Sequence, residues 1–319
     1  MHTLSVFLES PVSCFRPSEA QIARLAARMG AGWRVVCART ESEFLSSLPR
    51  ADAAIVWTFR QEWFAAAPAL RDLCTPAAGR DYFKVAPPAG VTLRYGTFHG
   101  AIMGETATAC VLALSHGLFA GVSLMTARAG SAPEVWPRSA IDSVSCRLAG
   151  RKCAILGFGS IGQAAGKMLK SFGVRIAGIS RSPKPAPAWF TAGDATFTAG
   201  EMAEALRDAS FLLCFLPSGR ETDRIVDSSL LALLPKGAYL LNFGRGNAVD
   251  EDALVAALRS GALGGAVLDV YREEPLPASS PLRTAPDIWL FPHSSAFSHD
   301  YLDLYFDEIS AILAGEHRR

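Results

Sequence analysis

The sequence predicts an α/β protein of two domains, each built around a parallel sheet. Two observations indicate this fold class. Short apolar runs alternate with helix-length amphipathic segments, and a second series of this kind begins near Lys152. Strands that alternate with helices are typical of βαβ units and parallel sheets. A length of 319 residues also suits about two domains.

Composition and charge favour a globular protein with a small-molecule partner. Half of the residues are apolar (50%) and 19% are charged, which allows a sizeable core. The 31 basic and 30 acidic residues nearly cancel and form no run of like charge. Neither a nucleic-acid groove nor binding to an anionic membrane is expected from such a balance.

Cysteine usage and the N-terminus indicate a cytoplasmic protein. The seven cysteines are scattered and odd in number, so reduced thiols are expected. The first ten residues lack the basic start of a signal peptide. One candidate membrane span, Ala107–Met125, is interrupted by Ser115–Gly117, and a buried helix is the favoured interpretation. The six histidines are not at ligand spacing, so no metal site is predicted.

The first hundred residues predict a small parallel sheet followed by an irregular segment. The predicted strands are Leu4–Leu8, Val35–Cys37 and Ala53–Trp57, and the predicted helices are Pro17–Met29 and Glu41–Leu48. Proline near a helix start and glycine after a helix end suit Pro17 and Gly30. Prolines and glycines then break regular structure between Asp72 and Thr97, and long loops of this kind often carry function.

The second series predicts one long helix and a six-stranded doubly wound sheet. The helix covers Ala101–Phe119, and His299–Ala314 is expected to form a last helix that packs on the first domain. The predicted strands are Cys153–Leu156, Arg175–Ile179, Phe211–Phe215, Tyr239–Asn242, Ala266–Val270 and Ile288–Phe291.

A glycine-rich turn between a strand and a helix predicts dinucleotide binding. The segment GFGSIG, with Gly157, Gly159, Ser160, Ile161 and Gly162, has the G-x-G-x-x-G spacing. The glycines allow a tight turn, close approach of a pyrophosphate and close helix packing, and the helix N-terminus attracts negative charge. The alternative is a purely structural turn.

The next strand ends at Ser180, Arg181 and Ser182, where an acidic residue would favour NAD. A guanidinium and hydroxyls instead suit a 2′-phosphate, so the sequence predicts a preference for NADPH, with NADH possible. The alternative is a solvated surface arginine. Pro217, after the strand Phe211–Phe215, is also predicted to contact the cofactor.

Three polar residues follow later strands: Arg245, Glu274 and His293. Alone, each could be structural. Together, the segments that carry them resemble the D-2-hydroxyacid dehydrogenase family, closest to its NADPH-dependent glyoxylate/hydroxypyruvate reductases. The resemblance runs from Arg147 to Ser298 and rests on CRLAGRKCAILGFGSIG, LLALLPKGAYLLNFGRGNAVDEDALVAAL, SGALGGAVLDVYREEPLPASSPL and FPHSS.

The resemblance implies a Rossmann dinucleotide-binding domain over residues 99–293. It also implies a flavodoxin-like α/β substrate (catalytic) domain over residues 1–98 plus 294–319. Arg245 would bind the substrate carboxylate, and His293 would donate a proton to the developing alkoxide. Glu274 would orient the imidazole and favour its charged form, while Asp269 would hold the carboxamide of the cofactor.

A shorter match, Thr75–Asp81, resembles the substrate loop of the family. Backbone N–H groups around Ala78 and Gly79 would bind the carboxylate from the other domain. Arg80 is either a surface charge or a contact for a second acidic group, and Trp57 and Arg60 are further substrate-binding candidates. For Trp57, core packing is the favoured interpretation.

The expected function is reduction of a small 2-keto acid, of the glyoxylate or hydroxypyruvate type, to the D-2-hydroxy acid by a homodimer. Two alternatives remain open. One is an NAD-linked phosphoglycerate dehydrogenase-like enzyme, in which Arg80 or Arg60 reads the phosphate. The other is a non-catalytic, NAD(P)H-sensing scaffold similar to the corepressors of the family.

Overall fold

The structure is a computed structural model that describes residues 1–126 and 138–316. It divides into two compact units. We call Met1–His99 with Phe297–Arg319 the terminal unit, and Gly100–Ala296 the central unit. Each unit carries its own parallel sheet.

The sheet of the terminal unit has five parallel strands in the order β2-β1-β3-β4-β5. The strands are β1 (His2–Phe7), β2 (Trp33–Cys37), β3 (Ala53–Val56), β4 (Asp72–Thr75) and β5 (Thr92–Tyr95), and the first helices are α1 (Glu19–Met29) and α2 (Glu41–Ser47). This is the strand order of flavodoxin-like folds. Strand β3 is buried along its whole length, as expected for a parallel strand covered on both faces.

The sheet of the central unit has seven parallel strands in the order β12-β11-β10-β9-β6-β7-β8. The strands are β6 (Lys152–Leu156), β7 (Arg175–Ser180), β8 (Ala195–Thr198), β9 (Ala209–Cys214), β10 (Ala238–Asn242), β11 (Leu263–Leu268) and β12 (Ile288–Leu290). The helices are α3 (Gly100–Ser115), α4 (Leu118–Thr126), α5 (Arg138–Asp142), α6 (Ser160–Lys170), α7 (Met202–Leu206), α8 (Ser228–Leu231) and α9 (Glu251–Arg259). The first strand, β6, lies inside the sheet, and the strand order reverses between β6 and β9. Such topological switch points form ligand crevices.

The last helix, α10 (Tyr301–Glu316), returns to the terminal unit and packs on α1. Tyr305 and Phe306 on its inner face are fully buried. At the rim of this contact, Arg24 forms an ion pair of 2.6 Å with Asp303. The C-terminal segment therefore completes the domain that the first hundred residues begin.

Two elements of the central unit differ from the sequence prediction. The sheet has a seventh strand, β8, where six strands were predicted. The single helix predicted for Ala101–Phe119 is wrong, because α3 ends at Ser115 and α4 begins at Leu118. Gly117 between them has φ +62°, a left-handed conformation that ends a helix.

Among the described residues, no single helix is long and apolar enough to cross a membrane. Helices α3 and α4 reach the required length and apolarity only as a pair, and they are bent by 68° at the break between them.

The carboxyl ends of four neighbouring strands of the central unit lie level with one another. Asn242 pairs with Cys214 on one side and with Leu268 on the other, and Leu268 pairs with Leu290. The segments that follow β9, β10, β11 and β12 therefore start at the same edge of the sheet.

Candidate active site

The glycine-rich loop Gly157–Gly162, called the phosphate loop below, is closely packed on one side and open on the other. Gly157 has φ +93°, and a Cβ at this position would lie 2.8 Å from the carbonyl carbon of Phe215. A Cβ at Gly162 would lie 2.6 Å from the oxygen of Gly157. A Cβ at Gly159 would meet no atom within 4 Å, so this side of the loop faces open space. Two glycines thus allow close packing, and the third leaves room in front of the N-terminus of α6 for an anion.

The second residue of the loop anchors it to the sheet. Phe158 is 1% exposed. Its ring packs on Gly178 of β7, where a Cβ would lie 2.4 Å from a ring carbon. The loop is therefore fixed from below by an aromatic residue, and this holds the N–H groups at the start of α6 in place.

The tip of β7 carries more charged groups than the sequence analysis identified. Arg181 is 85% exposed, and its Nη1 lies 2.9 Å from Oε2 of Glu221. Lys184 Nζ donates to the carbonyl oxygen of Phe158 at 3.4 Å, so an ammonium group lies beside the phosphate loop. Pro217 is exposed in the segment after β9, and its carbonyl oxygen accepts a hydrogen bond of 2.8 Å from the Thr222 hydroxyl.

The loop after β10 presents Arg245. Asn242, which is fully buried, accepts a hydrogen bond of 3.1 Å from the N–H of Gly244 and donates one of 3.1 Å to the carbonyl of Arg245. A Cβ at Gly244 would lie 2.5 Å from Leu216 O, and one at Gly246 would lie 1.9 Å from the Tyr271 carbonyl. Close packing and a buried amide therefore fix the backbone of this arginine, whose side chain is half-buried.

Glu274 and His293 form a hydrogen-bonded pair. His293 Nδ1 lies 2.8 Å from Glu274 Oε2, and Glu274 Oε1 accepts the N–H of Tyr271 at 3.0 Å. The carboxylate therefore has one oxygen for the backbone and one for the imidazole. With Nδ1 engaged, Nε2 is the ring nitrogen left to exchange a proton with a substrate. The two side chains are 52% and 36% exposed, so the pair is accessible to a ligand.

Asp269 and Tyr271 connect the loops that carry this pair. Asp269 is 1% exposed, and its carboxylate accepts the N–H groups of Ser294 at 2.7 Å and Ser295 at 2.9 Å. The Tyr271 hydroxyl lies 2.7 Å from the carbonyl oxygen of Phe291. Burial raises the pKa of Tyr271 to about 12, so the phenol stays a neutral donor. Asp269 thus holds the backbone after His293, a role that is separate from the carboxamide contact predicted for it.

In the terminal unit, the segment after β4 contains the residues for which substrate contacts are predicted. The hydroxyl of Thr75 accepts the N–H of Ala77 at 3.3 Å. Within the described part of the chain, neither Ala78 nor Gly79 donates its backbone N–H to a protein acceptor. The Arg80 side chain is exposed. The roles of these residues stay predictions.

Two other candidates of the terminal unit have protein partners. Trp57 Nε1 donates to the Phe15 carbonyl at 3.0 Å, and its ring is half-buried among aromatic side chains. Arg60 makes two hydrogen bonds of 2.8 and 2.9 Å to Glu41, and its guanidinium lies 5.0 Å from the Trp63 ring. Substrate contacts by Trp57 and Arg60 therefore compete with interactions inside the unit.

Sequence reasoning missed Lys184, Glu221 and Asn242. Lys184 had a local signal, because a cation four residues beyond the strand end can still reach an anion at that end. Glu221 had none, because 40 residues separate it from Arg181. Asn242 is the last residue of a predicted strand, and its side-chain hydrogen bonds show that it holds the Arg245 loop.

Comparisons with known proteins identify the family. The family model for the D-isomer specific 2-hydroxyacid dehydrogenase, NAD binding domain, matches residues 109–295. Glyoxylate/hydroxypyruvate reductase A from Klebsiella pneumoniae (strain 342) is 38% identical over 165 residues, which are 51% of this chain and 51% of that protein. The same enzyme from Citrobacter koseri is 41% identical over 143 residues, 44% of each chain. The chain spans about half the length of the curated relatives it matches.

A solved structure extends the likeness over the whole chain. The D-isomer specific 2-hydroxyacid dehydrogenase from Xanthobacter autotrophicus Py2, in complex with NADPH and MES, is 27% identical. The structural match covers 98% of this chain and 95% of that protein's chain, with a TM-score of 0.75. The phosphate loop, the arginine after β10 and the glutamate–histidine pair all lie inside or next to the matched domain. The chain therefore belongs to the D-isomer specific 2-hydroxyacid dehydrogenase family, and residues 109–295 are its NAD-binding domain.

Proposed function

We propose that this protein reduces a small 2-keto acid, of the glyoxylate or hydroxypyruvate type, to the D-2-hydroxy acid with NADPH. The observation that carries the proposal is the hydrogen bond of 2.8 Å between His293 and Glu274. It lies at the sheet edge from which Arg245 also projects. An acid–base pair and a guanidinium on loops at the same sheet edge are the groups that a carboxylate-bearing ketone requires. The curated relatives, which are named glyoxylate/hydroxypyruvate reductase A, support this substrate class.

The residues present fit a dinucleotide. The open side of the phosphate loop at Gly159 leaves space for a pyrophosphate at the start of α6. Arg181 and Lys184 add positive charge where a 2′-phosphate would lie, which supports NADPH over NADH. When bound, the nicotinamide supplies the hydride that reduces the carbonyl carbon.

The remaining chemistry belongs to side chains of this chain. Arg245 binds the substrate carboxylate through its guanidinium and so fixes the orientation of the ketone. His293 holds a proton at Nε2 and donates it to the oxygen that becomes the hydroxyl group. Glu274 binds Nδ1 of His293, which keeps the ring in one orientation.

The test is a steady-state panel of 2-keto acids with NADPH and NADH in parallel. We expect glyoxylate and hydroxypyruvate to be reduced faster with NADPH. Arg245→Ala and His293→Ala should abolish turnover while NADPH still binds. His299→Ala, which removes an exposed histidine of the terminal unit, is the matched control and should keep full activity. Unchanged turnover in Arg245→Ala or His293→Ala contradicts the assigned chemistry.

Adding 3-phosphoglycerate with NAD to the panel separates the two alternatives. An NAD-linked phosphoglycerate dehydrogenase-like enzyme would prefer 3-phosphoglycerate with NAD. In that enzyme the phosphate would compete with Glu41 for Arg60 or would contact the exposed Arg80. A non-catalytic NAD(P)H-sensing scaffold would bind NADPH tightly and turn over none of the keto acids.

We also propose that the protein is a homodimer. Leu118, Val122 and Met125 recur at helical spacing on α4 and are 58%, 62% and 43% exposed. Single exposed apolar residues are common on protein surfaces, whereas a continuous apolar stripe favours a protein interface.

A further inference from the structure

An ion pair crosses the cofactor crevice of the central unit. Arg181 follows β7, and Glu221 lies in the short turn Arg220–Thr222 after β9. Strand β6 lies between β7 and β9 in the sheet, and the phosphate loop begins at its end. The 2.9 Å contact between Arg181 and Glu221 therefore spans the topological switch point, where the strand order reverses.

The turn that carries Glu221 is fixed, but the ion pair is easily broken. The hydroxyl of Thr222 lies 2.8 Å from the Pro217 carbonyl oxygen and 3.0 Å from that of Gly219, which holds the turn closed. The two charged side chains are 85% and 73% exposed. Exposed pairs contribute little stability and are screened by salt. Glu221 is thus held near Arg181 by the fold, while the guanidinium remains available to a stronger anion.

We infer that Glu221 competes with the 2′-phosphate of the cofactor for Arg181 and thereby limits the preference for NADPH over NADH. This inference rests on the proposed role of Arg181. NADPH must break the ion pair and place a phosphate beside the released carboxylate. NADH has a hydroxyl at that position and leaves the pair intact. The cost of Glu221 therefore applies to NADPH alone.

The expected effect is moderate, because both groups are in water. From the strength of exposed ion pairs, removal of the carboxylate should tighten NADPH about three- to fivefold. Arg181 and Lys184 remain in place, so the site keeps its cations.

Fluorescence titration of the full chain with NADPH and with NADH tests this directly. We expect Glu221→Gln to lower the Kd for NADPH about three- to fivefold and to leave the Kd for NADH unchanged. In about 1 M NaCl the Debye screening length is about 3 Å, so this gain in NADPH affinity should disappear. Glu204→Gln, which removes an exposed carboxylate from α7, is the matched control and should change neither Kd.

Adenosine 2′,5′-bisphosphate and adenosine 5′-monophosphate repeat the comparison without the nicotinamide half. Only the bisphosphate should bind Glu221→Gln more tightly than the wild type. If Glu221→Gln weakens the binding of both NADPH and NADH, the Arg181–Glu221 ion pair supports the bound adenosine, and the inference is wrong. It is also wrong if both affinities stay unchanged while Arg181→Ala weakens NADPH selectively. Equal losses of NADPH and NADH in Arg181→Ala would instead overturn the proposed NADPH preference itself.

Discussion

His293 has a backbone conformation that a non-glycine residue adopts only when its surroundings hold it there. Its φ is +53°, in the left-handed region. The next two N–H groups, of Ser294 and Ser295, bind the buried carboxylate of Asp269, and Glu274 holds the ring. The backbone and the imidazole of one residue are thus fixed by two separate carboxylates.

At this scale we predict the effect of removing the carboxylate charge of Glu274. Glu274→Gln keeps the size of the side chain but weakens its hydrogen bond to His293, because a neutral amide replaces an ionised acceptor. We expect kcat to fall by about 10- to 100-fold, from the contribution of general acid–base catalysis, with the Kd of NADPH unchanged. Stopped-flow or steady-state kinetics with hydroxypyruvate measures this.

The neighbouring Glu273 provides the control. It is exposed, and Glu273→Gln removes the same charge one residue earlier in the chain. We expect its kcat to equal that of the wild type. An equal loss in both variants would show that net charge, rather than the bond to His293, causes the change.

At the scale of elements, the glycines of the phosphate loop have two different surroundings. Gly162 is closely packed, whereas Gly159 faces open space. A methyl group at Gly162 would lie 2.6 Å from the backbone of Gly157, whereas one at Gly159 would meet nothing. We expect Gly162→Ala to destabilise the fold by about 1–3 kcal/mol through overpacking. Gly159→Ala, at the N-cap of α6, should cost less, about 0.5–1 kcal/mol, and should weaken NADPH and NADH alike.

Urea denaturation and dinucleotide titration of both variants measure these effects. Gly159→Ala serves as the stability control for Gly162→Ala, since both add one methyl group to the same loop. Full dinucleotide affinity in Gly159→Ala would mean that the pyrophosphate does not approach this side of the loop.

The edge strand β8, which the sequence did not predict, is fixed to the sheet by a buried carboxylate. Asp194, just before it, has a side chain that is 0% exposed and lies 2.8 Å from Lys170 Nζ. It also accepts the N–H groups of Ile176 at 2.8 Å and Thr191 at 2.7 Å. Burial alone would raise the pKa of Asp194, but these hydrogen bonds outweigh it and lower the pKa below its usual value. The carboxylate therefore joins α6, β7 and the start of β8.

A lowered pKa makes stability depend on pH with a definite sign. The contribution of Asp194 is complete above the pKa of the unfolded chain, about 3.9, and is lost as pH falls through the lower folded value. We expect Asp194→Asn to be less stable than the wild type by about 1–3 kcal/mol at pH 7. Urea denaturation should show the difference shrinking below about pH 4. Asp142→Asn, at an exposed carboxylate, should show no such dependence. A difference that stays constant with pH would contradict the assigned charge effect.

At the scale of the whole molecule, topology assembles the site of the central unit. Arg245, Asp269, Glu274 and His293 belong to segments that follow β10, β11 and β12, and the ends of these strands are level. The groups proposed to bind the cofactor follow β6, β7 and β9 at the same edge. A doubly wound parallel sheet places all strand-end loops on one side, so residues distant in sequence meet there.

The proposed homodimer is also a property at this scale. We expect Val122→Glu to place a charge in the apolar stripe of α4 and to shift the protein from dimer to monomer. Sedimentation velocity over a range of concentrations measures this. Leu233→Glu, at a single exposed leucine elsewhere, is the control and should remain dimeric. A wild type that sediments as a monomer at all concentrations would exclude the dimer.

The sequence by itself determined the fold class and the chemical groups. Regular alternation of apolar runs revealed most strands, because burial on both faces requires continuous apolar residues. The expectation of an irregular segment over Asp72–Thr97 is wrong at its ends, where the short strands β4 and β5 lie. The glycines around Gly157 could be interpreted from the sequence because they lie between a predicted strand and a predicted helix. The polar residues could be interpreted because each follows a predicted strand. The break at Gly117 was missed, since an apolar pattern alone does not show where the backbone turns.

Only the tertiary structure decided which groups meet. Three kinds of contact join residues at least 18 positions apart in the chain: Arg181 with Glu221, Asp269 with the two serine N–H groups, and Asp194 with the N–H of Ile176. Such contacts depend on strand order and register, which periodicity does not encode. The sequence thus supplied the residue types of the site, and the sheet supplied their partners, because parallel strands bring distant loops to one edge.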